Sequence, residues 1–469
     1  MLNLDRRRIL TGGAAALAFG GLSRHALAQG TESYVNQIAG YGPLQVDPAG
    51  VMDLPHGFSY RVISRLGEVM GDGLLVPGQF DGMGCFALDD DRVTLVRNHE
   101  LKPGSRSHWT RSAWSDGEGR MARLDASKAY GQTASGQIVP GGTTSLIYNL
   151  KTGRTERQHL SLIGTSANCA GGVTPWGSWL TCEETEERPE TASVTRPHGY
   201  VFEVPASASG LVEAVPLKAM GRFYHEAVCV DPATGVVYLT EDKTDGLFYR
   251  FLPNTPGELS QGGRLQALAI RGAAGADTTN HQMRFWAVGD ELSVDWIDLE
   301  DVDSPNDDLR VRGRASGAAI FARGEGVHWG DGELYLTATS GGPIERGQIL
   351  RYRPSSAEGR PQEAASPGRL QLMVESADER VMNMADNLTV APWGHLIVCE
   401  DNYSPTIRNH LKGVSPEGQV YTLARNATDA NSEFAGACFS PDGSTLFVNY
   451  QHPGLTFAIT GPWDQLRAA

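Results

Sequence analysis

The chain has 469 residues, of which 40% are hydrophobic and 20% charged, and its formal net charge is -15. These values are typical of an ordinary globular protein, and the acidic balance argues against nucleic acid as a partner. The 56 glycines exceed average usage, and with short apolar runs between them they predict an all-β protein with many turns.

The first 28 residues resemble an export signal rather than part of the fold. Three consecutive arginines at 6–8 precede a short apolar run, and positions 26–28 form a small-residue cleavage site. The arginines are similar to a twin-arginine motif. We therefore predict a signal peptide over 1–28, recognition by the twin-arginine export machinery, and a periplasmic or secreted location. The apolar run is too short for stable membrane insertion.

Six cysteines are scattered along the chain without the short spacings of a disulfide framework. Most lie inside apolar runs, which predicts small buried side chains. Cys169 differs, because it stands between Asn168 and Ala-Gly-Gly.

Six segments repeat one plan, in which a turn rich in Gly, Pro or Asp leads into a short β-branched or aromatic strand with a polar end. They read LDDDRVTLVRNHE, TPWGSWLTCEE, DPATGVVYLTED, HWGDGELYLTAT, APWGHLIVCED and SPDGSTLFVNYQ. Six such units predict a six-bladed β-propeller with loop insertions between blades, forming a single domain over 29–469.

Aligning the six units brings polar residues into three columns. The first column, just after the apolar core, holds Asn98, Glu183, Glu241, Ala338, Glu400 and Tyr450. The second holds His99, Glu184, Asp242, Thr339, Asp401 and Gln451. The third, in the preceding strand, holds Gly84, Cys169, Glu226, Glu325, Asp386 and Gly436.

Equivalent positions of propeller blades converge on the axis, so Cys169, Glu226, Glu325 and Asp386 should share one space. Repulsion among confined carboxylates favours bound cations. Simpler interpretations stay open for the other features. The carboxylate pairs after strands also suit solvated loop edges, and His225 and His328 suit either ligands or core residues. The acidic run 295–308 suits a calcium loop or, more simply, a solvated loop.

Several stretches together resemble the PhoX family of alkaline phosphatases. They are NCAGGVTPWGSWLTCEE, GRFYHEAV followed by YLTED, FARGEG, MADNLTVAPWGHLIVCED and EFAGACFSPDGSTLFVN. The resemblance implies a six-bladed propeller that hydrolyses small-molecule phosphate monoesters at an iron and calcium cluster, where a metal-bound oxo or hydroxide attacks in line.

The resemblance also implies roles for particular residues. Cys169 would ligate iron through its thiolate, and the remaining metal ligands would be Glu183, Glu184, Glu226, Glu325 and Asp386. Arg323 would bind the phosphoryl oxygens and act with Glu325 as a catalytic residue. The protein can be a monomer.

Two other functions remain as alternatives. One is a non-catalytic, calcium-binding propeller scaffold, and the other is a calcium-dependent propeller lactonase. Cys169 discriminates among the three, because a site that holds only calcium has no use for a thiolate.

Overall fold

The structure is a computed structural model that describes residues 33–105, 107–117 and 119–466. The predicted signal peptide over 1–28 lies outside the described residues. Within the described residues the regular structure is almost entirely β, with 26 strands and one α-helix, which confirms the all-β prediction. No helix of this part of the chain has the length and apolar character needed to cross a membrane.

Of the first ten strands, seven form two complete sheets, and the first three belong to sheets with strands from the end of the chain. The amino-terminal strands are β1 Leu44–Gln45, β2 Met52–Pro55 and β3 Ser59–Arg65. A four-stranded antiparallel sheet contains β4 Phe80–Ala87, β5 Arg92–His99, β6 Gly141–Asn149 and β7 Arg154–Thr165. A three-stranded sheet contains β8 Asn168–Val173, β9 Ser178–Glu183 and β10 Val201–Pro205.

A nine-stranded sheet follows, built from two up-and-down units. The first unit contains β11 His225–Val230, β12 Val237–Glu241, β13 Phe248–Pro253 and β14 Gly263–Ile270. The second contains β16 Gly324–Trp329, β17 Leu334–Ala338, β18 Gln348–Arg353 and β19 Arg369–Glu375. Strand β15, Glu291–Asp298, pairs with β14 on one side and β19 on the other, and so joins the units. Helix α1, Leu309–Ala315, lies between β15 and β16.

The last two units bring the two ends of the chain together. One contains β20 Ala385–Val390, β21 Leu396–Glu400, β22 His410–Val414 and β23 Val420–Asn426. The other contains β24 Phe434–Phe439, β25 Thr445–Tyr450 and β26 Leu455–Thr460. The amino-terminal β2 pairs with β23, and β3 pairs with β26. These pairings leave fewer exposed strand edges.

Short 3-10 helices lie in the connections. They span Arg120–Arg123, Ala126–Lys128, Lys218–Met220, Leu259–Gln261, Pro361–Ala365 and Trp463–Leu466. The two Pro-Trp-Gly turns need glycine, because Gly177 and Gly394 have φ of 83° and 86°. Trp176 donates its ring N–H to Glu203, and Trp393 stacks on Trp463. Both tryptophans therefore pack on the fold.

The first strands of the units contact one another in a closed ring. Strand β4 contacts β8, β8 contacts β11, β11 contacts β16, β16 contacts β20, β20 contacts β24, and β24 returns to β4. Buried apolar residues fill the space between successive units, for example Val327 and Leu336 with Ala227 and Tyr238. The architecture is an all-β, propeller-like fold in which the first strands surround a common axis.

Candidate metal centre

A backbone irregularity near the start of each ring strand shapes the site. The antiparallel pairing shifts after Phe80, Asn168, His225, Gly324, Ala385 and Ala435. A bulge of this kind re-aims side chains. The residues directly after these shifts are Asp81, Cys169, Glu226, Glu325, Asp386 and Gly436. The sequence alignment had Gly84 in the first unit, and the hydrogen-bond register corrects it to Asp81; the register keeps Gly436 in the last unit.

Side chains from these positions form three linked groups of candidate ligands. In each group the ligand atoms lie within 4.8 Å of one another. The groups are Cys169 with Glu184 and Glu226, Glu226 with Glu325 and Asp386, and Asp386 with Asp401 and Glu433. Because Glu226 and Asp386 are each shared by two groups, the three groups form one continuous cluster.

Five of the six predicted metal ligands are brought together in this cluster, but Glu183 is not. Its side chain is fully buried, and both carboxylate oxygens are engaged elsewhere. Oε1 accepts from the Ser166 N–H at 2.8 Å and lies 2.6 Å from His198 Nδ1. Oε2 accepts from the N–H groups of Gly199 and Tyr200 at 2.8 and 3.1 Å. The structure therefore corrects this prediction, because the Glu183 carboxylate accepts hydrogen bonds from neighbouring backbone N–H groups and does not face the cluster.

The predicted ligand set lacked carboxylates that the structure brings to the same region. Asp81 and Glu100 come from the first unit, and Asp401 and Glu433 come from the last two. Asp81 was missed because β4 and β5 have eight residues each, whereas the ring strands of the other units have six, so the common spacing ended at Gly84 instead of Asp81. Glu100 was missed because β5 runs one residue further than assumed, since His99, and not Asn98, pairs with the start of β4. Glu433 precedes β24, and no repeat position signals it.

Burial and mutual repulsion dominate the electrostatics of the cluster. Burial, followed by the nearby Glu325 and Glu184 carboxylates, raises the pKa of Glu226 well above its ordinary value. Burial and then Asp401 raise the pKa of Asp386 in the same direction. Burial and then Asp81 and Glu226 raise the pKa of the Cys169 thiol. Without cations, these groups are driven toward their neutral, protonated forms.

Arg323 is clamped beside the cluster by two carboxylates. Its Nε and Nη2 donate to the two oxygens of Asp242, both at 2.8 Å, and Nη2 also donates to Glu325 at 2.8 Å. Its backbone has φ of 58°, a left-handed conformation that is unusual for a side chain of this size. The bidentate contact fixes the plane of the guanidinium and leaves Nη1 without a hydrogen bond among the described residues.

A cavity of about 840 Å³ opens over the cluster and Arg323. Glu325 and Asp386 line it on the cluster side. Residues of two loops line the rest, among them Tyr403, Asn431 and His452. Its size is sufficient for a small organic molecule bound next to the carboxylates.

Glu226 provides the test of whether the cluster fits metal ions. Both of its carboxylate oxygens are buried, and neither has a hydrogen-bond partner in the described part of the chain. A buried, unpartnered carboxylate is costly unless a cation satisfies it. Carboxylate oxygens suit hard cations, and the thiol of Cys169, once deprotonated, suits a transition metal. The residues present therefore fit bound metal.

The other candidates from the sequence do not join the cluster. His225 stacks on Phe223 and contacts the Gly221 carbonyl, and His328 contacts the Trp329 carbonyl. Neither histidine belongs to the candidate ligand groups: His225 is a buried core residue, and His328 is half-buried. In the acidic run 295–308, carboxylates pair with arginines: Asp295 with Arg271, Asp298 with Arg264, Asp307 with Arg188 and Arg222, and Asp308 with Arg312. These pairs favour the solvated loop over a calcium loop.

Fold and site together define a class of protein. It is a propeller-like protein that gathers carboxylates, one thiol and one arginine at the inner strands, next to an open cavity. A sequence profile described as "Alkaline phosphatase PhoX" matches residues 39–454. The chain belongs to the PhoX family of alkaline phosphatases, and it is therefore a phosphatase.

Among the solved structures similar to this chain, a PhoX structure supports the fold. The structure of Pseudomonas fluorescens PhoX in complex with vanadate, a transition-state analogue, is similar with a TM-score of 0.65 and 20% identity, covering 88% of this chain and 96% of that one. A Xanthomonas campestris gluconolactonase has a TM-score of 0.38 and 14% identity, covering 90% and 98% of the two chains. The comparison with curated protein sequences finds no significant match.

Proposed function

We propose that this chain hydrolyses small-molecule phosphate monoesters at a multinuclear centre of iron and calcium. The observation that carries the proposal is Glu226, a buried carboxylate without hydrogen-bond partners that is shared between two candidate metal groups beside Arg323. Such a residue is expected to bridge cations. Family membership supports the reaction type, and the donor set supports the metals.

The donor set suggests how the metals are distributed. The group with Cys169 offers a sulfur ligand together with Glu184 and Glu226, which suits iron. The group of Asp386, Asp401 and Glu433 offers only carboxylates, which suits calcium. When bound, the cations would polarise the phosphoryl oxygens and stabilise the leaving alkoxide.

The chain's own residues would orient the phosphoryl group. Arg323 is held by Asp242 and Glu325, so its guanidinium does not have to reorganise when the substrate arrives. Its unengaged Nη1 would donate hydrogen bonds to the phosphoryl oxygens. Glu325 would link this arginine to the metals, since the same carboxylate belongs to the central candidate group.

We further propose that the fold has six blades within one domain. The nine-stranded sheet would count as two blades joined through β15, and the closed ring of six first strands supports that count. Export through the twin-arginine pathway to the periplasm or outside remains a proposal from residues 1–28. It would deliver a folded chain with its metals already bound.

The test is to purify the protein, measure iron and calcium by elemental analysis, and assay p-nitrophenyl phosphate with and without a chelator. We expect both metals to be present, and turnover that the chelator abolishes. Cys169→Ser should lower iron while the circular dichroism spectrum is retained. A metal-loaded protein without phosphatase activity would favour the calcium-binding scaffold, and unchanged iron in Cys169→Ser would reject the thiolate as an iron ligand.

A further inference from the structure

Lys102 brings a positive charge of the chain itself to the edge of the carboxylate cluster. Its Nζ lies 3.1 Å from Oε1 of Glu100 and 4.0 Å from Oε2 of Glu184. Glu184 belongs to the candidate group that contains Cys169. The ammonium therefore stands where another cation would have to stand if these two carboxylates were both ionised and otherwise unpaired.

Backbone hydrogen bonds hold Lys102 next to Glu184. The N–H of Ala167 donates to the carbonyl of Leu101 at 3.0 Å, and the N–H of Glu184 donates to the carbonyl of Ala167 at 2.8 Å. Leu101 is itself fully buried. Two hydrogen bonds thus connect the residue before Lys102 with Glu184, so the fold fixes how close the backbones of these two residues lie.

Glu100 differs from Glu226 in the partners of its carboxylate oxygens. Oε1 of Glu100 contacts Lys102, and Oε2 accepts from Nε2 of Gln451 at 3.0 Å. Gln451 is held in turn by the side chain of Gln79 at 3.0 Å. Both oxygens of Glu100 therefore have partners within the protein, whereas both oxygens of Glu226 have none in the described residues. The cluster has one side that needs cations and one side that the chain neutralises itself.

We propose that Lys102 replaces a metal ion at this edge, so that Glu100 and Glu184 do not form a calcium site in the native protein. The inference rests on the metal centre of the proposed function. Removing the ammonium leaves the two adjacent carboxylates without a counter-charge. Such a pair of carboxylates binds a hard divalent cation such as calcium.

The experiment compares bound calcium in the wild type and Lys102→Met after calcium loading and desalting, by elemental analysis and calorimetric calcium titration. We expect Lys102→Met to bind one additional calcium per chain. Lys102→Arg, which keeps the charge, should match the wild type. Lys243→Met is a matched control, because Lys243 pairs with Glu186 at 3.0 Å and lies over the same Tyr224 ring as Lys102. It should also leave the count unchanged.

An unchanged or lower calcium count in folded Lys102→Met would overturn the inference. If that variant does not fold, Glu100→Gln decides the question, because it should keep the wild-type calcium count, and loss of one calcium would identify Glu100 as a metal ligand. If the wild type binds metals and hydrolyses phosphate esters, but Lys102→Met has the same calcium count as the wild type, only the inference about Lys102 is rejected. Wild-type protein without any bound metal rejects both the inference and the proposed function.

Discussion

Glu183 and Glu184 are neighbours in sequence, and the structure gives them opposite roles that can be tested as a pair. In Glu183→Gln, one carboxylate oxygen becomes an NH2 group. If it replaces Oε2, it faces the N–H groups of Gly199 and Tyr200. If it replaces Oε1, it faces the N–H of Ser166. Each buried N–H left without an acceptor costs about 1–3 kcal/mol. The amide takes the orientation that leaves one N–H without an acceptor rather than two, so we expect the free energy of unfolding to fall by about 1–3 kcal/mol.

Glu184→Gln should have the opposite effects on stability and metal content. Burial, followed by the Glu100 and Asp242 carboxylates, raises the pKa of Glu184 well above its ordinary value. Substitution removes a repulsive group from the metal-free protein, so its stability should be unchanged or higher. The same substitution removes a ligand next to Cys169 and should lower the metal content.

Calorimetric unfolding with chelator and with calcium, combined with elemental analysis, separates the two variants. Glu183→Gln should unfold at lower temperature under both conditions while its folded form retains the wild-type metal content. Glu184→Gln should lose metal without any loss of metal-free stability. If Glu183→Gln lost metal at unchanged stability, the assignment of Glu183 to the backbone network would be refuted.

Three further predictions follow from the same cluster. Cys169→Ser should lose iron but keep calcium at the group of Asp386, Asp401 and Glu433, as measured by elemental analysis; equal loss of both metals would contradict separate groups. Arg323→Lys keeps the charge but cannot form the fork with Asp242, so kcat/KM for p-nitrophenyl phosphate should fall by about tenfold or more at unchanged metal content. The raised pKa values of Glu226, Glu325 and Asp386 mean that the folded, metal-free chain binds more protons than the unfolded chain. Its free energy of unfolding in urea should therefore fall as the pH rises above about 4.5, and added calcium should remove this loss; a metal-free stability that rises over the same range would contradict the shifts.

Sequence periodicity predicted the all-β fold and the proximity of several site residues well. Cys169, Glu226, Glu325 and Asp386 lie far apart in the chain, yet aligned repeat positions were sufficient to bring them together, because a propeller-like fold gathers equivalent positions at its axis. The turn residues around each hairpin made these alignments possible.

The positions that the sequence missed depend on hydrogen-bond register. In the first unit β5 has eight residues, whereas its counterparts have five or six. His99 and Glu100 therefore occupy the places that the alignment gave to Asn98 and His99. Because successive strand residues point to opposite sides, an error of one residue reverses which side chain faces the axis. Composition and spacing carry little information about such a shift.

The same alternation explains why each pair of acids after a strand divides into one structural and one axial residue. Glu241 accepts hydrogen bonds from Leu247 and Tyr249, whereas its neighbour Asp242 holds Arg323. Glu400 accepts from the backbone N–H groups of Asn383 and His410, whereas Asp401 joins the cluster. Two adjacent residues at the end of a strand cannot both face the axis, so three acidic pairs supply three axial carboxylates rather than six. The acids that remain stabilise the loops and strands that position the site, and a pattern of paired acids alone therefore overstates the number of metal ligands in a fold of this kind.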